Sequence, residues 1–218
     1  MGDFASNPFS LEISAERVGG VGCVGIFGTG GFDGRVWGFR FTGPPVSGFR
    51  PSCYLGVDPG LKGGLALVGI DVGDGRGVLL GCLDMPLVKA FEFGFEREID
   101  VLPIRKWISG MQVRHGMFPA VVERQLWLPG QGARQTFRTA FNFGVLVSAI
   151  RGECSFAVSA MPNVWKGRLG LGRSKSESLK RFGAVFPDVE EKVGDGVAEA
   201  ALMAWSHLTD ILGAEVSV

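Results

Sequence analysis

The stretch CYLGVDPGLKGGLALVGI, residues 53–70, decides the fold. An apolar run delivers one carboxylate, Asp58, to its end, and a glycine-rich turn leads into a second apolar run. A carboxylate at the end of a buried strand is costly unless its charge is compensated. Two kinds of compensation are open. A D-P-G turn supplies local amide hydrogen bonds; a cation supplies charge.

Working outward, VLLGCLDMP (78–86) is a third short apolar run bounded by Gly, Asp and Pro, so the three together predict an antiparallel meander. Asp100 is placed to cap a helix over VLPIRKWISGMQVR (101–114), where Ile104, Trp107, Ile108 and Met111 recur at helical spacing. PAVVERQ (119–125) predicts a buried strand ending at Glu123. TFRTAFNFGVLVSAIRG (136–152) predicts a helix that stops at Gly152. SFAVSAMP (155–162) predicts a further strand, and KSESLKRFGAVFP (175–187) and GVAEAALMAWSHLTDIL (196–212) two last helices. A meander followed by alternating helix and strand implies an α/β fold, a mixed five-stranded sheet with helices on both faces.

Residues 1–52 read differently. They hold twelve of the 35 glycines and seven of the 17 phenylalanines, without a sustained period of 2 or 3.6, which predicts a poorly ordered extension ahead of a domain over 53–212. The extension has arginines suited to organelle targeting, but Asp3, Glu12, Glu16 and Asp33 are foreign to a transit peptide. The G-x-G within VGGVGCVGIFGTGGF lacks the strand–turn–helix setting of a dinucleotide site.

Composition narrows the chemistry. Lys+Arg and Asp+Glu balance at 22 each, so no global charge selects a nucleic-acid or membrane partner. The four scattered cysteines, with only His115 and His207 beside them, do not make a zinc site and read as reduced, mostly buried thiols. No run reaches the roughly 18 apolar residues of a spanning helix, and no membrane association is expected.

Three separate elements carry acids that can meet at one sheet end. Asp58 and Glu123 end strands, and Asp195 and Glu199, four apart, share a face at the start of the last helix. Singly, each has an ordinary structural role: a turn-former at Asp58, an N-cap at Asp195, a solvated helix residue at Glu199. Jointly, four carboxylates in one cleft repel and raise one another's pKa unless divalent cations sit among them. Hard oxygen ligands suit Mg²⁺, and paired ions roughly 3.5–4 Å apart clamp the attacking and leaving oxygens of phosphoryl chemistry.

In order along the chain, GVDPGLKGGLAL, LDMP, E-R-Q after a buried strand, FNFGVLVSAI, MPNVWKGRLGL, SKSESLKRFGAVFP and DGVAEAALMA resemble the RuvC-type Holliday junction resolvases of the RNase H-like superfamily. The likeness spans about residues 53–208 and is greatest to the plant chloroplast resolvase. It implies a metal-dependent endonuclease that cuts four-way DNA junctions symmetrically as a homodimer. It also implies two Mg²⁺ ions per site, replaceable by Mn²⁺, held by Asp58, Glu123, Asp195 and Glu199. Bacterial members close with D-x-x-D, whereas this chain has D-x-x-x-E; Glu199 is favoured as the direct ligand, with Asp195 a ligand or a base partner. FNFGVLVSAI resembles the dimer-contact helix and reads equally as a core helix. Chloroplast localisation follows from the same likeness, with mitochondrion or a bacterial or phage cytoplasm as alternatives.

Local charge suits such a substrate. Lys166, Arg168, Arg173, Lys175, Lys180 and Arg181 cluster against Glu177 alone over residues 161–186, and Arg124, Arg134, Arg138 and Arg151 precede Glu153. Arg124, Arg134, Arg138, Lys166, Arg173 and Lys175 are therefore the expected DNA contacts, with Lys175 at a helix start where amides also favour phosphate. In QLWLPGQGARQTFR (125–138), Trp127 or Phe137 offers a ring to stack on an unpaired base. Two rival functions remain: a non-catalytic junction-binding protein on the same fold, or an actin-like ATPase domain, which also opens with D-x-G and a hairpin.

Overall fold

Two short apolar runs, residues 53–58 and 64–70, pair as the hairpin on which the larger unit is built. The computed structural model describes residues 10–18, 21–29, 36–40, 52–71, 75–89, 96–125, 130–172 and 174–213. Its chain divides into two units, Met1–Phe49 and Arg50–Val218.

The first unit contains β1 (Ser10–Val18), β2 (Val21–Thr29) and β3 (Val36–Arg40), a three-stranded antiparallel sheet in that order. These strands fall within residues 1–52, which the sequence predicts as a poorly ordered extension. The β1–β2 pairing runs from Ser10↔Thr29 to Val18↔Val21. The glycine content of β2 hides the strand period that Leu11, Ile13 and Ala15 set against Glu12, Ser14 and Glu16 in β1.

The second unit is built on β4 (Cys53–Asp58), β5 (Gly64–Ile70) and β6 (Gly77–Asp84), the predicted meander. β4 and β5 pair from Cys53↔Gly69 to Asp58↔Gly64, and β5 and β6 from Ile70↔Gly77 to Gly64↔Asp84, with a register shift at Leu67/Val68. Short strands β7 (Leu87–Val88) and β8 (Glu98–Ile99) pair with each other before α1 (Val101–His115). Asp100 caps α1 as expected, its carboxylate accepting from the Leu102 N–H at 3.1 Å. Then come β9 (Ala120–Glu123), α2 (Ala133–Glu153), β10 (Ala157–Ala160), α3 (Pro162–Arg168), α4 (Lys175–Val185) and α5 (Asp195–Leu212). β9 lies parallel to β4 and β10 parallel to β9, which gives the five-stranded mixed sheet the order β10-β9-β4-β5-β6.

Alternation along the buried central strand splits the core in two. Cys53, Leu55 and Val57 face α1 and α2, meeting Ile104, Ile108, Leu146 and Ile150. Tyr54 faces the other way, with Ala66, Val68 and Val121, toward α5 and the α3 and α4 residues Trp165 and Phe182. α5 is apolar nearly all round because it lies between the sheet and these outer helices. Its approach is close: a Cβ on Gly56 would stand 1.8 Å from the Ala200 carbonyl oxygen. Glycine is required there by contact, not by conformation.

Three local expectations are corrected. Gly152 lies inside α2, which runs to Glu153 and ends as Cys154 turns extended and drops into the core. The Glu153 carbonyl is taken by the Gln112 side chain and its carboxylate by Arg105, so the helix end is satisfied without a left-handed glycine. α2 also begins at Ala133, three residues before the expected start, so Arg134 stands on its first turn. α3 was not expected at all, although Pro162 at its first position is a common helix opener. Cys53 and Cys154 are free and buried, whereas Cys82 is exposed on β6, an edge strand. No helix among the described residues is long and apolar enough to cross a membrane.

Candidate active site

Parallel pairing of β4 and β9 sets Leu55 opposite Ala120 and Val57 opposite Val122. One residue further, Asp58 and Glu123 end neighbouring strands at their carboxyl ends, where ligands of open α/β sheets gather. Both are half-buried. The D-P-G turn satisfies part of Asp58, whose Oδ1 accepts from the Gly60 N–H at 3.1 Å. This does not balance the charge. Burial pushes the Asp58 carboxyl above the usual carboxylate range and the Glu199 charge adds to it, against the pull of Gly60, Lys175 and Lys166.

Glu123 is perturbed further. Burial, and after it the Asp58 charge, pushes its carboxyl up to about 7, against the opposing pull of Trp165 and Lys166. The Trp165 indole N–H donates to Glu123 Oε2 at 3.0 Å from the fully buried ring on α3.

α5 reaches the same sheet end because its first turn lies flush on the β4–β5 hairpin. Gly196 bridges Gly63, and a Cβ on Gly196 would meet the Lys62 carbonyl oxygen at 2.4 Å and Gly63 Cα at 2.5 Å. No side chain fits there without moving the helix. One turn on, Glu199 Oε1 accepts from Lys166 Nζ at 2.7 Å and from Ser178 Oγ at 3.0 Å. Asp195 pairs with Lys175.

The structure thus brings Asp58, Glu123 and Glu199 together: the Glu199 charge acts on both strand-end acids, and the Asp58 charge acts on Glu123. Asp195 is not among the charges that act on Asp58 or Glu123. Among the described residues, no group of three or more His, Cys, Asp or Glu side chains is gathered closely enough to hold one metal ion. The two α5 acids are instead turned onto lysines.

Of the expected DNA contacts, Lys166 and Lys175 stand against these acids. Arg124 is exposed immediately beyond Glu123, with its backbone N–H on the Ala160 carbonyl at 2.8 Å. Arg134 is exposed on the first turn of α2, and Arg138 is half-buried with its guanidinium on Gln135. Phe137 is exposed and stacks on Phe141 at 6.3 Å between centroids. Arg173 and Trp127 lie outside the described residues. The site residues that escaped the sequence reading are Trp165, Ser178 and Gly196. The first is 42 positions from its acceptor, and no local pattern marks it.

No family model matches the chain, and no curated protein matches it. Solved structures do. RuvC from Thermus thermophilus in complex with a Holliday junction substrate is 18% identical, with 74% of this chain and 97% of that chain covered and a TM-score of 0.55. A second structure of Thermus thermophilus RuvC is 19% identical over the same shares, again with a TM-score of 0.55. The likeness shows the fold: the five-stranded mixed sheet with helices on both faces expected from the sequence is shared with these RuvC structures.

Proposed function

We propose that this protein is a Mg²⁺-dependent endonuclease that resolves four-way DNA junctions. One observation carries the reading. Asp58, Glu123 and Glu199, from three distant parts of the chain, converge at one sheet end, where burial and after it the Asp58 charge push the Glu123 carboxyl up to about 7. Acids held together against their own repulsion suit a site for a hard divalent cation. The shared fold with a protein whose structure contains a Holliday junction substrate supports the choice of substrate.

The carboxylate chemistry suits Mg²⁺, with Mn²⁺ as a substitute, although the acids are not gathered around one point: Asp58, Glu123 and Glu199 would hold the ion once Glu199 leaves its lysine, with Asp195 as a further ligand or base partner. When bound, the ion supplies an acidified water and charge stabilisation at the scissile phosphodiester. The chain's own residues do the rest. Trp165 orients Glu123, and Gly196 allows α5 to bring Glu199 beside Asp58. Arg124, beside Glu123, and Arg134 and Arg138 on α2 neutralise substrate phosphates, joined by Lys175 at the first turn of α4. Hydrolysis of the phosphodiester adds one water and leaves a 5′-phosphate and a 3′-hydroxyl. Two copies acting as a homodimer, with α2 at the contact, would place two such centres on opposed strands.

The test is nicking of a synthetic four-way junction against a linear duplex of the same sequence, with Mg²⁺ and with EDTA. Mg²⁺-dependent cleavage confined to the junction is expected. Junction binding without cleavage under any divalent ion favours the non-catalytic alternative, and ATP hydrolysis without either favours the ATPase.

A further inference from the structure

Lys166 is the least ordinary lysine in the described chain. Its side chain is 17% exposed and that of its partner Glu199 12%, with Nζ 2.7 Å from Oε1. The ammonium also stands 5.1 Å from the centroid of the Trp165 ring, a cation–π seat. From there it acts on Asp58 and Glu123 as well as Glu199. A lysine serving only to bind phosphate would point its charge to solvent. This one faces inward, onto three acids.

Glu199 Oε1 already carries two donors, the Lys166 ammonium and the Ser178 hydroxyl. A divalent ion at that carboxylate would lie against the ammonium, and two cations so close repel strongly. Lysine is suited to leave, being a point charge on a flexible four-carbon stem where arginine would hold a carboxylate in a rigid fork. Its seat on Trp165 keeps it beside the cluster.

We infer that Lys166 is a resident counter-cation of the acid cluster, holding Glu199 in the metal-free protein and surrendering it when a divalent ion binds. The inference rests on the divalent-ion reading given above. It accounts for the absence, among the described residues, of a gathered metal-ligand group at a site whose donors otherwise suit one. Metal affinity is then lower than the acids alone would give, because each ion must displace the ammonium.

The probe is Mn²⁺ alone, titrated without DNA into the full chain and followed by the electron-paramagnetic-resonance signal of free Mn²⁺. The buffer is held well above the value of about 7 to which Glu123 is pushed, so that its carboxylate is ionised. Lys166→Met should bind Mn²⁺ about 10- to 100-fold more tightly than wild type, the worth of a charged hydrogen bond no longer to be broken. Lys166→Arg, which keeps the cation, should not gain. If Lys166→Met fails to fold by circular dichroism, Lys166→Gln decides, with tightening of the same sign. A folded neutral variant that binds Mn²⁺ no more tightly than wild type overturns the exchange and leaves the metal reading standing. If neither wild type nor variant binds Mn²⁺, the metal reading falls, and the exchange with it.

Discussion

Replacing Glu123 with Gln should make the metal-free protein more stable, and only at neutral to alkaline pH. An unfolded glutamate titrates near 4.5, whereas folding pushes Glu123 up to about 7. Between those values the native chain binds more protons than the unfolded one, so stability falls as pH rises. The loss begins above about 4.5 and is complete above about 7. At about 1.4 kcal/mol per pH unit the full displacement corresponds to about 3 kcal/mol, and the partial solvent access of the carboxylate reduces this to about 2 kcal/mol. Glutamine keeps a carbonyl oxygen to accept from Trp165 and removes the charge. Urea unfolding in EDTA should therefore find wild type and Glu123→Gln equal near pH 5. The variant should be about 2 kcal/mol more stable near pH 8, or about 4–8 °C higher in melting temperature. Adding Mg²⁺ should recover part of the wild-type deficit and none of the variant's stability. Parallel pH profiles for the two proteins would refute the idea that Glu123 is held buried beside another acid.

Three further outcomes follow from the geometry. Asp58→Asn keeps an oxygen for the Gly60 N–H and removes a buried charge, so at neutral pH it should melt no lower than wild type and still bind the junction while Mg²⁺-dependent cleavage is lost; cleavage near the wild-type rate would remove Asp58 from the site. Gly56→Ala places a Cβ 1.8 Å from the Ala200 carbonyl oxygen and must push α5 off β4, costing about 2–4 kcal/mol in urea unfolding. Trp165→Phe keeps most of the ring but removes the N–H on Glu123, at a cost of about 1–2 kcal/mol. Because that N–H favours the charged form, Trp165→Phe should also steepen the loss of stability between pH 5 and 8, which a purely steric change would not do.

What could be read from the sequence is what local chemistry dictates. Short apolar runs bounded by turn residues marked β4 to β6, and Asp100 with the helical spacing that follows it marked α1. Chain order then implied the mixed sheet, because a meander followed by helix–strand alternation has few ways to bury its apolar faces. The glycines of β2 concealed a strand, and the buried fate of Cys154 overruled Gly152 as a helix stop.

The four acids were visible in the sequence as residue types at strand and helix ends. Their relations were not. Parallel pairing of β4 with β9 puts Asp58 beside Glu123, and the Gly63–Gly196 contact lays α5 against that edge. Trp165 on Glu123, Lys166 on Glu199 and Lys175 on Asp195 join positions 20 to 42 residues apart. Such pairings depend on which faces of three helices meet one sheet end, and sequence spacing along any single element does not carry that information. The sequence alone determined which groups can be charged and where strands end; only the tertiary structure decided which cation each carboxylate faces, because charge partnership is a property of distance in space.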